Sequence, residues 1–200
     1  MGSFLRIAGA AALFISLGLV ARAAPVGILA DIKINALVST DAVSCALNKL
    51  FVDADIVAKI NACLDVTTVA DLKVAVGLCV SLIKGCADEL LKIGAGVALD
   101  VDAKANIVAS IAALITLLVK VLLQLTLKFG VSAVATLFAD IDVVLKLLLV
   151  NLNICVDGIV ALIVKAVASV TIGLLGQINL GLCASLLASI GATAGVSISL

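Results

Sequence analysis

The side chains in this sequence able to do chemistry are six cysteines, Cys45, Cys63, Cys79, Cys86, Cys155 and Cys183, and a handful of paired carboxylates. Thiols offer three chemistries: nucleophilic attack, metal ligation or cross-linking. The first usually needs a base, and the chain has no histidine, so Cys/His and Ser/His/Asp centres cannot be assembled. Metal ligation fares poorly for the same reason, with no C-x-x-C pair either. Cross-linking remains: an even cysteine count in a chain with a secretory leader points to three disulfides, with 15 connectivities open.

The carboxylates pair as Asp53/Asp55, Asp88/Glu89, Asp100/Asp102 and Asp140/Asp142. A glycosidase-like acid and nucleophile would need two of them facing across a sugar-gripping cleft, and nothing in the sequence resembles one. They read as helix caps and solvated turn residues. "DVDAKAN" begins like a calcium loop, but Ala105 and Ile111 stand where glycine and glutamate are required. Tyrosine and tryptophan are absent, and the only arginines are Arg6 and Arg22. Stacking platforms and guanidinium clamps are therefore missing. The sequence predicts no enzyme, no cofactor, no metal and no nucleic-acid partner.

The elements that would position these residues begin after a leader. Arg6, the apolar run Ile7–Val20 and the small residues Ala21, Ala23 and Ala24 before Pro25 form a signal peptide over residues 1–23. The mature chain then carries 11 lysines and 13 acids, a net charge of 11 − 13 = −2.

Hydrophobic residues make up 64% of the chain and charged residues 13%, against about 45–50% and about 25% in typical soluble domains. A domain of this size hides only about 70% of the surface its unfolded chain exposes, so part of this apolar content is expected to face a partner, a membrane or an interface. The excess is uneven. Residues 24–104 form a more polar half with four cysteines; residues 105–200 form a very hydrophobic half with two.

Polar residues recur every three or four positions, the helical period. Over residues 68–94, Thr68 caps a helix with Asp71 three residues on, and Gly94 stops it. Lys73, Gly77, Ser81, Lys84, Asp88 and Lys92 then form one polar stripe, with Cys79 and Cys86 opposite. Those two cysteines lie about 10 Å apart along the helix, too far to bond each other, so each is expected to staple the helix to another segment.

Shorter helices are expected in "VGILADIKINALV", in "DAVSCALNKLF" capped by Thr40, and in "ADIVAKINACL" capped by Asp53. Cys63 with Cys79 and Cys45 with Cys86 would suit helices folded about the turn at Asp65–Thr68, as one option among several. Downstream, stripes run through Thr116, Lys120, Gln124 and Lys128, and through Asn153, Asp157, Ala161 and Lys165. Cys155 and Cys183 would tie the last two helices around Gly173 and Gly176. The fold class is an all-α, disulfide-stapled bundle of about six to eight helices. Only the uncharged run around Ser169–Gly191 has the roughly 20 residues a membrane span requires.

Leader, size, polar first half and apolar second half together resemble the small secreted structural proteins of mushroom-forming fungi, which support hyphal attachment and aerial growth beside the hydrophobins. The likeness covers the whole chain and rests on layout. Hydrophobins themselves have eight cysteines with two adjacent pairs; here there are six, none adjacent. The resemblance implies a secreted protein of cell wall or extracellular matrix, whose partners are hydrophobic surfaces, the wall or further copies of itself. Two other readings fit the composition: a membrane-inserting helical protein and a lipid or sterol carrier. Expression in a secreting host should give a mature chain starting near Ala24, and an intact mass that still includes Met1–Ala23 would disprove the leader.

Overall fold

The computed structural model describes residues 37, 40–167, 171, 174–175, 178, 180–193 and 195. The expected signal peptide and most of the first expected helix, "VGILADIKINALV", lie outside them. The described residues contain seven α-helices and no strand. These are α1 (Ala42–Asn48), α2 (Ile56–Ala62), α3 (Val69–Ile93), α4 (Val101–Phe129), α5 (Val131–Cys155), α6 (Ile159–Ala166) and α7 (Gly181–Thr193). One π-helical turn, Lys49–Asp53, continues α1.

Short polar side chains set the helix starts by accepting the backbone N–H groups that a first turn leaves unpaired. Thr68 accepts from Asp71 N at 3.1 Å and its hydroxyl donates to the Asp71 carboxylate at 2.7 Å, so the expected cap forms. Two other caps shift from expectation. Asp41, not Thr40, caps α1 by accepting from Ser44 N at 2.8 Å. Asp55, not Asp53, caps α2, because the π-helical turn carries the chain two residues further. Asp55 sits at φ 44° and accepts from Ala58 N. Aspartate tolerates that left-handed backbone better than most residues.

The architecture is built around α4. From Ser110 to Leu122 nearly every side chain is buried, on all sides of the helix. A helix apolar all round belongs in a core or a membrane. Among the described residues α4 is the one helix long and apolar enough to cross a membrane, and 61% of its most apolar window is buried inside the fold. Its apolar length serves the core.

Around it, α3 packs most extensively on α5, while α2, α5 and α6 pack on α4. Helices α3 and α5 run in the same direction: Asn151 Nδ2 donates to Ala87 O at 2.8 Å, and the Cys155 thiol to Leu90 O at 3.0 Å. Helix α4 returns the chain between them. At its C-terminal end Lys128 Nζ donates to Leu64 O at 2.7 Å, and Gly130 alone separates α4 from α5. Its φ of 86° is a conformation glycine adopts without a Cβ penalty.

The compositional boundary at residues 104/105 falls inside the first turn of α4, and the described residues form one compact unit across it. The stripe through Asn153, Asp157, Ala161 and Lys165 does not ride on one helix. The chain breaks at Val156–Gly158, with Gly158 at φ 71°, and α6 starts afresh. The run once long enough for a span is also interrupted, since Leu180 lies outside helix and α7 has only 13 residues.

Leu118, in the middle of α4, is 1% exposed, whereas Leu127 near its end is 54% exposed. Leu118→Ala should lower unfolding free energy in urea by about 2–5 kcal/mol, and Leu127→Ala by under about 0.5 kcal/mol. Similar losses at both positions would contradict a core centred on α4.

Candidate functional site

The chemistry-bearing residues do not converge on one centre. All six cysteines are free thiols in the structure, five of them buried and Cys45 exposed. Cys79 and Cys86 lie on the apolar side of α3, and the six stripe residues opposite are exposed or half-buried, as their spacing requires.

Of the suggested pairings, Cys63 and Cys79 line one small cavity without being bonded. Their influence on each other holds the Cys63 thiol below its ordinary pKa and, together with burial, pushes Cys79 well above it. Cys86 points its thiol at Ala46 O, 3.6 Å away, while Cys45 turns to Thr40 O. Burial pushes the Cys86 thiol up to about 12.

A tie between Cys155 and Cys183 is not formed. Cys155 reaches Leu90 O on α3, and Cys183 reaches Asp142 O, 3.4 Å away on α5. Asp142 and Cys155 are thirteen residues apart in one continuous helix, which separates the two sulfurs by about 20 Å. Burial raises the pKa of both thiols.

The carboxylate pairs separate too. Asp100 accepts from Ala103 N as the α4 cap, and Asp102 lies in the first turn, so "DVDAKAN" is a helix start rather than a loop. Asp88 pairs with Lys84 at 2.7 Å and Glu89 with Lys49 at 3.1 Å, both at exposed positions. Among the described residues no three His, Cys, Asp or Glu side chains gather as a metal would need.

Asp142 stands apart from its neighbour Asp140, which is exposed. It is 4% exposed on α5, and its carboxylate accepts from Leu182 N at 2.8 Å and Cys183 N at 2.9 Å. Helix α7 begins at Gly181, preceded by Leu180, and neither residue offers a side-chain cap. Asp142 supplies one from another helix, placing a negative charge at the positive end of the α7 dipole. Lys146, one turn further along α5, acts electrostatically on the same Cys183 thiol. A carboxylate at the spacing of Phe138, Leu145 and Leu149 was the sequence signal for this role, because it places a charge on a buried stripe.

The two best-formed cavities are small. One of about 10 Å³ is lined by apolar side chains and the Cys63 and Cys79 thiols. The other, of about 180 Å³, is an open groove between α1, its π-helical turn and α3, with the Lys49–Glu89 pair at its rim. Pockets for drug-sized ligands run from about 300 Å³ upward. Neither cavity approaches a lipid site.

The exposed large apolar residues include Val74, 74% exposed, and Leu78, 48% exposed, one turn apart on the outer face of α3. Gly77, Ser81 and Gly85 run beside them, and a Cβ added at either glycine would meet nothing within 4 Å. Leu127 and Val131 flank the Gly130 turn, and Val143 and Leu182 lie near the Asp142 cap. Compared with known protein families, curated proteins and solved structures, the chain matches none significantly.

Asp142→Ala would strand two helix N–H groups and should cost about 3 kcal/mol in urea unfolding, whereas Asp142→Asn, which keeps one acceptor, should cost about half that. Asp140→Ala should change stability by under about 0.5 kcal/mol. Equal effects at Asp140 and Asp142 would dismiss the cap.

Proposed function

We propose that the protein is a secreted, surface-active structural protein that adsorbs or assembles at cell-wall, air or hydrophobic-solid interfaces, in the service of attachment or aerial growth. The observation that carries this reading is the outer face of α3, where Val74 and Leu78 are exposed and, among the described residues, nothing lies within 4 Å of a Cβ placed on Gly77 or Gly85. Covering about 300 Å² of such surface is worth about 7 kcal/mol at 25 cal/mol per Å², enough for firm adsorption without a pocket.

Composition supports the same reading, since the groups that grip specific substrates are missing while aliphatic side chains abound. On this reading the chain reaches an oxidising compartment, where thiols that the fold brings together close into staples. A membrane-inserting function is the second reading, favoured by the length and apolarity of α4. It requires the bundle to open, because that helix is at present enclosed.

Mature protein recovered from culture medium without detergent should coat a hydrophobic plate and lower the contact angle of water. Val74→Ser/Leu78→Ser, altered only at exposed positions, should bind hydrophobic beads about tenfold more weakly at unchanged helicity. Protein that stays dispersed and leaves the plate unwetted would refute the interfacial role, and recovery solely in detergent extracts of membranes would favour insertion.

A further inference from the structure

We propose that Cys63 and Cys79 form a dithiol site that closes into a disulfide joining α2 to α3, while Cys155 and Cys183 remain thiols. The inference goes beyond the interfacial reading and does not depend on it, because the pair is defined by the fold whatever surface the protein meets.

Cys63 occupies the C-terminal cap of α2, and Cys79 lies on the buried side of α3. Helix α2 packs on α3, and both sulfurs line the same cavity of about 10 Å³, walled by Ile60, Val76, Leu118 and Ile141. No polar side chain intervenes. The Cys63 thiol donates to Lys59 O at 3.4 Å. Two cysteines lining one small cavity, on helices that pack together, reach the bonded separation of about 2.05 Å by side-chain rotation if their Cα atoms lie within about 7 Å. The void beside them gives the side chains room to rotate.

The opposite shifts of the two thiols also set an order of events, because the thiolate is the attacking species. Cys63, whose thiolate is favoured by its neighbour, attacks one sulfur of a small-molecule disulfide and expels one thiolate. Cys79 then gives up its proton and attacks the Cys63 sulfur, expelling the second. Two protein thiols are oxidised and one external disulfide is reduced to two thiols. The positive charge of Lys59 favours the Cys79 thiolate this second step requires.

The other buried thiols are held apart. Cys155 and Cys183 donate to carbonyls on α3 and α5 at sites about 20 Å from each other. Bonding requires Cα atoms within about 7 Å, so joining them would mean dismantling α5.

The test uses the full mature chain, reduced, unfolded and refolded in a glutathione redox buffer, then alkylated under denaturing conditions and digested with trypsin without reduction. Cleavage after Lys59, Lys73 and Lys84 places the two cysteines on separate peptides, Ile60–Lys73 and Val74–Lys84. The expected result is a linked mass of these two peptides, with Cys155 and Cys183 alkylated.

Cys63→Ser should leave Cys79 alkylated or carrying glutathione, and should melt about 5–10 °C below the oxidised parent. Parent and variant melting together in reductant would show that the difference comes from the bond and not from the serine. Full alkylation of Cys63 and Cys79 in the parent, their linkage to other cysteines, or a Cys155–Cys183 peptide would overturn the proposal.

Discussion

The constraint on which the rest of the structure depends is the burial of α4. Between Lys104 and Lys120 this helix carries no charge, and its middle turns are apolar on every side. Such a helix is stable in water only when surrounded, so the remaining helices have to supply a wall. Helices α2, α5 and α6 pack on α4 directly, while α3 packs on α5 and leaves much of its own surface exposed. The burial of α4 also accounts for part of the composition, because a helix buried on all sides through its middle shelters more apolar side chain than one packed on a single face.

Inside that wall, three buried side chains spend their hydrogen bonds on backbone atoms of other helices. Asn151 reaches the Ala87 carbonyl, Cys155 the Leu90 carbonyl, and Asp142 two N–H groups of α7. Aliphatic packing is forgiving of small shifts in register; a buried amide or carboxylate is not, since an unpaired polar group costs roughly 1–3 kcal/mol. These contacts therefore select one alignment of α5 against its neighbours from the many that leucines and valines would allow.

Much of this was legible locally. Thr68, Asp71 and Gly94 mark α3 to the residue, and the spacing of Lys73, Ser81, Lys84 and Asp88 gives its outward face. Errors arose where neighbouring residues competed for one role. Thr40 and Asp41 both suit a cap, and Asp53 and Asp55 both suit the next, with the choice decided by a π-helical turn that no periodicity announces. Gly158 interrupts a stripe that otherwise continues in register, so the break between α5 and α6 was hidden. The partner of Asp142 lies some forty residues away. Sequence shows that a charge sits on a buried stripe and is silent about which helix end it meets. The thiols follow the same rule: Cys63 and Cys79 are close in sequence and share a cavity wall, whereas the Cys155–Cys183 tie fails because α5 runs as one continuous helix between their two anchorages.

The parallel seam between α3 and α5 has a consequence for biogenesis. Its anchoring contacts join residues 64 and 65 positions apart, with all of α4 in the intervening chain. As the polypeptide emerges, α1 and α2 are there for α3 to pack on, but its most extensive contact waits for α5, and α4 meanwhile exposes a long apolar segment. A chain with such late-closing contacts is exposed to self-association during that interval, so its own translation is a window of hazard.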